Sequence, residues 1–411
     1  MYMMSRSNGP VAPADYVAAN PRPASAEHVG DLQVAAMNTL NYFLTLDTGL
    51  AVCGPLQNVE CRGADDYAEF TRQRTKLLGA LAGIDADIIG LNELENTPAV
   101  DPAGDLVSGL NTLLGAGSYA AIDTGVIGVD AIRAGLLYRP AIVTPVGAFK
   151  ILNSSADPRF LDTLNRPSLA QTFVVNATGE RLTVVMNHFK SKGSNCTGDP
   201  DLGDGQGNCN LTRVAAAQAL VDWLATDPTG SSDPDFLILG DLNSYAMEDP
   251  VDAIKAGPDD APSTVDDYTN LIATYLGPYA YTYVFDGQAG HLDHALAFYA
   301  LAPQATGVST WHINADEPDV LDYDTTFKPS SQDALFEPNE FRTSDHDPVI
   351  VGLRLSSTWG FSGFMAPVDS PPTVNTVKAG AAVPVKFSVN GDRGLDIFAV
   401  GYPRDPAGAS S

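Results

Sequence analysis

Asp345 and His346 stand side by side in Phe341-Arg-Thr-Ser-Asp-His-Asp-Pro-Val-Ile-Val-Gly-Leu353, just ahead of an apolar run. A carboxylate can hold a hard cation, and a neighbouring imidazole can take a proton near neutral pH. Pro348 suits the first residues of a strand, where a missing N–H does little harm. The same union of apolar run and polar end recurs upstream. Leu32 to Phe43 carries Asn38 and Asn41, Asp87 to Glu95 carries Glu93, and Arg181 to His188 stops at a histidine. Phe236 to Asn243 ends in Asp241 and Asn243, and Leu292 to Phe298 starts with Asp293 and His294. Residues two apart on an extended chain share a face, so Asp241 and Asn243 can work together. Asn38, Glu93, His188, Asp241, Asn243, Asp293, Asp345 and His346 supply oxygens, amides and imidazoles but no thiolate. Such a set selects Mg²⁺, Mn²⁺ or Ca²⁺ over zinc. A hard cation beside a histidine base is a construction for water attack on phosphorus.

These tips need strands and helices to position them. Phe70, Leu77, Leu78, Leu81 and Ile84 recur at helical spacing. Arg72, Arg74 and Lys76 fall on the other face and are expected in solvent, with Arg74 able to turn inward to an acid. With Leu32–Phe43 before it and Asp87–Glu95 after it, this gives a strand–helix–strand order and a layered α/β architecture. Leu106 to Leu114 reads as a helix, and Ala134 to Tyr138 as a strand ending in a surface Arg139. Residues 166–175 and 181–188 read as a hairpin. Lys190 and Lys192 follow it, two cations in a chain short of them. Val214, Ala217, Leu220, Val221 and Leu224 mark a second amphipathic helix.

The balance of 23 Lys and Arg against 50 Asp and Glu gives −27. That argues against nucleic-acid binding through a broad basic patch. A phosphodiester approached through bound cations remains open, because metal ions invert the local charge logic. Cys53 and Cys61, and Cys196 and Cys209, form two close pairs without Cys-x-x-Cys spacing or an intervening histidine. Two local disulfides, and hence an oxidising compartment, fit better than zinc. Asp199, Asp201 and Asp204 suggest a calcium loop, though their spacing misses the EF-hand pattern. Met1-Tyr-Met-Met-Ser lacks the apolar core of an export signal, so either the chain lacks its natural start, the favoured reading, or export uses another signal. No apolar run approaches a membrane helix. Residues 1–30 read as a linker arm, 31–355 as the main domain, and 356–411 as a partial β-module.

Six motifs then occur in the order of a known superfamily. They are Met37-Asn-Thr-Leu-Asn-Tyr-Phe43, Leu91-Asn-Glu-Leu-Glu-Asn96, Asn187-His-Phe-Lys-Ser-Lys192, Gly240-Asp-Leu-Asn-Ser244, Leu292-Asp-His-Ala-Leu296 and Ser344-Asp-His-Asp-Pro348. Over residues 31–355 the chain resembles the endonuclease/exonuclease/phosphatase superfamily, and within it the secreted bacterial nucleases with a deoxyribonuclease I-like domain. Gly380-Ala-Ala-Val-Pro-Val-Lys-Phe387 and Gly394-Leu-Asp-Ile-Phe398 look like the PxKF module of exported bacterial proteins. The resemblance implies a four-layer α/β sandwich, two packed β-sheets flanked by helices. It implies a metal cluster of Asn38, Glu93 and Asp345, and His346 as proton acceptor with Asp293 holding its ring. Asp241 and Asn243 would align water and phosphate, and His188 and Arg166 would donate to the non-bridging oxygens. Lys190 and Lys192 would meet the substrate. The implied activity is a secreted, monomeric, Mg²⁺- or Mn²⁺-dependent nuclease acting on DNA or RNA, with Ca²⁺ as a further candidate, also in a structural role.

Other readings compete. The fold also serves phosphatases acting on a phospholipid or small phosphate ester, and fold alone does not decide. An exported surface protein with an inert large domain would have no need of all eight polar tips. A glycosidase using Glu93 and Glu95 lacks an aromatic sugar platform beside them. His294 departs from the superfamily's usual aromatic or aliphatic residue at that place, and the acidic surface departs from the mildly basic groove of a duplex binder.

Overall fold

The computed structural model describes residues 22–23, 25–356, 364–369, 373–376, 378 and 382–387. Most of the expected arm over 1–30, and residues 394–398 of the expected tail module, lie outside them. In chain order the elements are β1 (Leu32–Tyr42), α1 (Tyr67–Ile84), β2 (Ile88–Glu95), α2 (Pro102–Leu114), β3 (Ala120–Ala121), β4 (Ile132–Tyr138) and β5 (Val143–Leu152). Then come β6 (Arg166–Val175), β7 (Arg181–His188), α3 (Asn210–Ala225), β8 (Phe236–Asp241), α4 (Asp249–Lys255), β9 (Tyr268–Asn270) and α5 (Leu271–Leu276). A hairpin of β10 (Tyr283–Phe285) and β11 (Gln288–Gly290) precedes β12 (Asp293–Phe298), β13 (Ala305–Thr310) and β14 (Val349–Leu353).

Two six-stranded sheets result, ordered β13-β14-β1-β2-β4-β3 and β5-β6-β7-β8-β12-β9. Only β1–β2 and β7–β8 pair in parallel within them. Side chains alternate across a strand, and that period builds the layers. Val34 and Ala36 of β1 meet Leu182, Val184 and Met186 of β7 in the core between the sheets. Ala35 and Met37 point the other way, beneath Leu77 and Leu81 of α1 and Leu106 and Leu110 of α2. On the far side Val185 and Ile238 lie beneath Leu220 and Leu224 of α3 and Ile254 of α4. The architecture is therefore the expected four-layer α/β sandwich. The sheets approach so closely at Gly90 that a Cβ there would stand 2.1 Å from Met186 Sδ.

The first two helices start at local acids. Asp66 accepts from the N–H groups of Ala68 and Glu69 at the head of α1, and Asp101 from Gly104 at the head of α2. Such caps answer otherwise orphaned donors. The solvent face expected on α1 is corrected at Lys76. It is buried, and its ammonium donates to Phe341 O (2.6 Å) and Asn339 O (3.3 Å). Arg74 does turn to an acid, Asp105, at 2.7 Å. The chain divides into two compact units, Met1–Leu355 and Ser356–Ser411. In the second, β15 (Phe364–Met365) pairs antiparallel with β16 (Lys386–Phe387). Among the described residues no helix is long and apolar enough to cross a membrane.

Candidate active site

Strand register assembles half of the site. Arg166 pairs with His188 across β6–β7, His188 with Asp241 across β7–β8, and Asp241 with Asp293 across β8–β12. One row of neighbours thus runs over four strands. In the other sheet Asn38 pairs with Asn92 across β1–β2. Asn92 Nδ2 donates to Asn187 O at 2.9 Å, which ties the two sheets together at this end.

The backbone bends where these residues sit. Leu40, Asn41, Glu93 and Asn243 all have positive φ, between 48° and 66°. Such conformations cost roughly 1–3 kcal/mol each for non-glycine residues and gather at functional sites. At Glu93 the β2–β4 register also shifts. The bend lets Glu93 accept from Asn38 Nδ2 (3.1 Å) and from the Asn41 N–H (2.9 Å). Asn38 Oδ1 in turn accepts from Leu40 N–H at 2.9 Å. Asn38 therefore orients Glu93 through its nitrogen, while its oxygen is engaged by its own turn. Burial, then the nearby Asp345 carboxylate, pushes Glu93 up from its ordinary value.

His188 Nε2 lies 3.6 Å from Asp241 Oδ2 and 3.9 Å from Glu93 Oε1. Burial, followed by the Arg166 charge, holds His188 well below the usual histidine range, so its ring is neutral. Asp241 accepts from the Asn243 N–H at 2.7 Å, and Asn243 Nδ2 donates to Phe189 O at 3.1 Å. Burial, set against His346 and reinforced by Asp293, pushes Asp241 up to about 7.

His346 Nδ1–H donates to Asp293 Oδ2 at 2.7 Å. The same oxygen accepts from Thr282 Oγ1 at 2.8 Å. Burial alone would lower His346, but Asp293, Asp345 and Asp241 outweigh it and hold the ring well above the ordinary value. The loop bearing Asp345 and His346 is gripped by Asn314. Its Nδ2 donates to His346 O (2.6 Å), and its Oδ1 accepts from the N–H groups of Thr343 (2.9 Å) and Ser344 (3.1 Å). Asp347 Oδ1 accepts in turn from the Asn314 N–H at 2.7 Å.

The expected substrate cations behave differently from one another. Arg166 Nη1 is 3.4 Å from His188 Nε2, and its Nε donates to Asp130 Oδ2 at 3.1 Å. Arg62 pairs with the other oxygen of Asp130 at 3.3 Å. Lys190 Nζ turns to hydroxyls, Ser194 Oγ at 2.5 Å and Ser191 Oγ at 3.2 Å. Lys192 is ion-paired with Glu248 and lies over the Tyr245 ring, so its charge is already matched. Disulfides join Cys53 to Cys61 and Cys196 to Cys209. The acids of the suspected calcium loop have other partners. Asp199 caps α3 by accepting from Leu211 N, Thr212 N and Thr212 Oγ1. Asp201 and Asp204 accept from Gly203 and Gln206 N–H groups within their own turns. At the back of the site His294 Nε2–H donates to Ser244 O at 2.7 Å, which fixes its tautomer.

Glu93 and Asp345 fit a hard divalent cation. Among the described residues neither is paired with lysine or arginine, and the Asp345 carboxylate raises the cost of ionising Glu93. Oxygen donors in this setting suit Mg²⁺, Mn²⁺ or Ca²⁺.

Sequence reasoning missed Thr282, Asn314, Asp130 and Tyr283. Asp347 was in view within the Asp-His-Asp-Pro motif, whereas Asn314 lies in an irregular acidic stretch with no local signal.

The sequence matches the model of the Endonuclease/Exonuclease/phosphatase family over residues 57–346. No curated protein matches it. Solved structures of similar shape include a Bacteroides thetaiotaomicron mannosyl-6-phosphatase, at 15% identity and TM-score 0.48, covering 79% of this chain and 100% of that one. A Bacteroides thetaiotaomicron endonuclease/exonuclease/phosphatase family protein gives 15% identity and 0.48, over 79% and 98%. D. rerio TDP2 complexed with single-strand DNA product gives 12% identity and 0.44, over 78% and 97%.

Proposed function

The chain belongs to the Endonuclease/Exonuclease/phosphatase family, whose hydrolases act on phosphate esters, and from that premise we propose a divalent-metal-dependent nuclease that hydrolyses DNA or RNA outside the cell. The observation that carries the reading is the Asp293–His346 hydrogen bond, set in one strand row with Asp241 and His188 and facing Glu93. Asp293 fixes the ring so that Nε2 of His346 is the nitrogen left to exchange a proton with water. Asp241, raised to about 7, is the second group that can exchange one near neutral pH. Asn243, held by Phe189 O, keeps its amide beside Asp241 to align water and phosphate. The neutral His188 and the Arg166 guanidinium supply donors for the non-bridging oxygens, where charge gathers in the transition state. Glu93 and Asp345, with Asn38 orienting Glu93, would hold Mg²⁺ or Mn²⁺. When bound, such a cation supplies Lewis-acid stabilisation of that charge.

A phosphate-bearing substrate is supported by cations gathered at one edge of the site. Arg166, Arg62 and Lys190 all act electrostatically on His188, in a chain whose net charge is −27. Export is supported by the two disulfides. The reading includes a monomer of the secreted bacterial nuclease type, with an arm over 1–30, a catalytic domain over 31–355 and a PxKF-type module over 356–411. The test is supercoiled plasmid with Mg²⁺ or Mn²⁺, with and without EDTA, beside His346→Ala. Nicking that needs the metal and His346 is expected. Nicking that survives chelation removes the metal role. No nicking, with phosphate released from small esters, replaces the nuclease by a phosphatase.

A further inference from the structure

A cleft of about 510 Å³ opens beside the reacting groups, within the size range of small-ligand sites. Its walls include Asn243 from the site, Tyr245, Lys192, and Tyr283 and Phe285 from the β10–β11 hairpin. Tyr283 and Phe285 are two apart on one strand and so share a face. Their rings are nearly parallel, 9° apart with centroids at 6.4 Å. The Tyr283 ring is also 4.6 Å from the His346 ring. The cleft therefore begins one side chain away from the proton-exchanging histidine.

The hairpin is built to hold those rings still. Its turn is Asp286-Gly287, with φ of 49° and 78°, the left-handed pair that a tight two-residue turn needs. Gly290 packs against Tyr245 so closely that a Cβ there would stand 2.7 Å from Tyr245 Cδ1. Phe285 remains 59% exposed, so it contributes a free face rather than core. The charges in the wall speak against a phosphate. Lys192 is matched by Glu248 and sits 4.4 Å above the Tyr245 ring. The other charged wall residues are Asp201 and Asp286. A neutral, flat, aromatic group bearing N–H donors suits rings and carboxylates together.

We propose that this cleft receives the unstacked nucleobase next to the phosphate under attack, so that the enzyme takes single-stranded or locally opened nucleic acid. The proposal rests on the nucleic-acid reading of the site. It also reconciles that reading with the acidic surface, because stacking on rings replaces part of the grip that a basic groove would give.

The test uses the full chain in Mg²⁺ with a probe whose linkages are nuclease-resistant phosphorothioates, so that binding is read without turnover. The probe is a trinucleotide with a central 2-aminopurine, whose fluorescence falls when the base stacks. Wild type is expected to quench it. Phe285→Ala and Tyr245→Ala should each lose most of the quench and bind about tenfold more weakly. Tyr279→Ala, which removes a 92% exposed ring outside the cleft, is the control. A trinucleotide with an abasic centre should bind wild type about tenfold more weakly and ignore Phe285→Ala. Equal binding of the basic and abasic probes overturns the proposal, as does an unchanged quench in both cleft variants. Cleavage of single-stranded DNA in Mg²⁺ is measured in parallel. Quench without cleavage of any nucleic acid removes the nuclease reading and keeps the base cleft. Cleavage without quench does the reverse.

Discussion

His346 Nδ1 lies 2.7 Å from Asp293 Oδ2, although 53 residues separate the two in sequence. The contact joins the loop before β14 to the first residue of β12, and so links one sheet to the other. Thr282 Oγ1 donates to the same oxygen at 2.8 Å, which leaves Asp293 few ways to turn. Asp293→Asn keeps the size but removes the charge that orients the ring. An oriented acid–base group contributes about 10²–10⁴ in rate. We expect kcat on a phosphodiester to fall about 10²- to 10³-fold with little change in KM, and the circular dichroism spectrum to stay as in wild type. A variant that keeps wild-type kcat would show that the ring needs no partner.

Glu93 and Asp345 bring two carboxylates together, with burial raising Glu93 first and Asp345 raising it further. Ionised Glu93 is thus held at a cost that a cation relieves. Mn²⁺ at about 100 times its dissociation constant should stabilise the fold by roughly 2.7 kcal/mol. Glu93→Gln should abolish that gain. It should also make the metal-free protein more stable than wild type at neutral pH, because an amide removes a buried like charge. Chemical denaturation with and without Mn²⁺ reads both effects. A Mn²⁺ response of full size in the variant would place the ion elsewhere.

Much of this was legible because a strand that is buried on both faces reads as an apolar run, and its polar end stands out. Asp241, Asn243 and His188 declared themselves in this way. β5 did not, since this edge strand is largely half-buried or exposed and shows no apolar alternation. Lys76 misled for a different reason. A lysine opposite an apolar stripe belongs in water by pattern, yet a distant loop lies over it and offers Phe341 O as acceptor. Asn314 and Thr282 were invisible because their partners, the Ser344–His346 loop and Asp293, are brought to them only by the closed fold. Which amide atom of Asn38 faces Glu93 is likewise something that residue type alone cannot fix.

Asp235 offers a pH test away from the reacting groups. It is buried just ahead of β8, and both its oxygens accept from Gln304 Nε2 at 2.8 Å. Burial, then Asp233, pushes it up to about 7 from 3.8. Between those values the folded state binds a proton that the unfolded state has released, so stability falls as pH rises. The contribution is whole below about pH 4 and gone above about pH 7, with a span of roughly 2–4 kcal/mol. Asp235→Asn should therefore be more stable than wild type at pH 8, and the gap should close towards pH 4. Urea titrations at pH 4.5, 6 and 8, chosen to bracket about those limits, check this. A gap that widens on acidification would reverse the sign and refute the argument.

Arg213 is completely buried, and its guanidinium serves four acceptors: Ser244 Oγ (3.1 Å), Lys190 O (3.2 Å), Asn208 O (2.7 Å) and Gln206 O (2.7 Å). It thus fastens the loop closed by Cys196–Cys209 to the ends of β7 and β8, beside the aromatic cleft. Lysine cannot reproduce that planar fork. Arg213→Lys should cost about 3–4 kcal/mol in urea denaturation. Replacing both cysteines by serine should cost about 2–3 kcal/mol, the entropy of a loop whose ends are 13 residues apart. Because both act on one loop, the triple variant should lose clearly less than the sum. Full additivity would mean that the guanidinium and the disulfide stabilise different parts of the molecule.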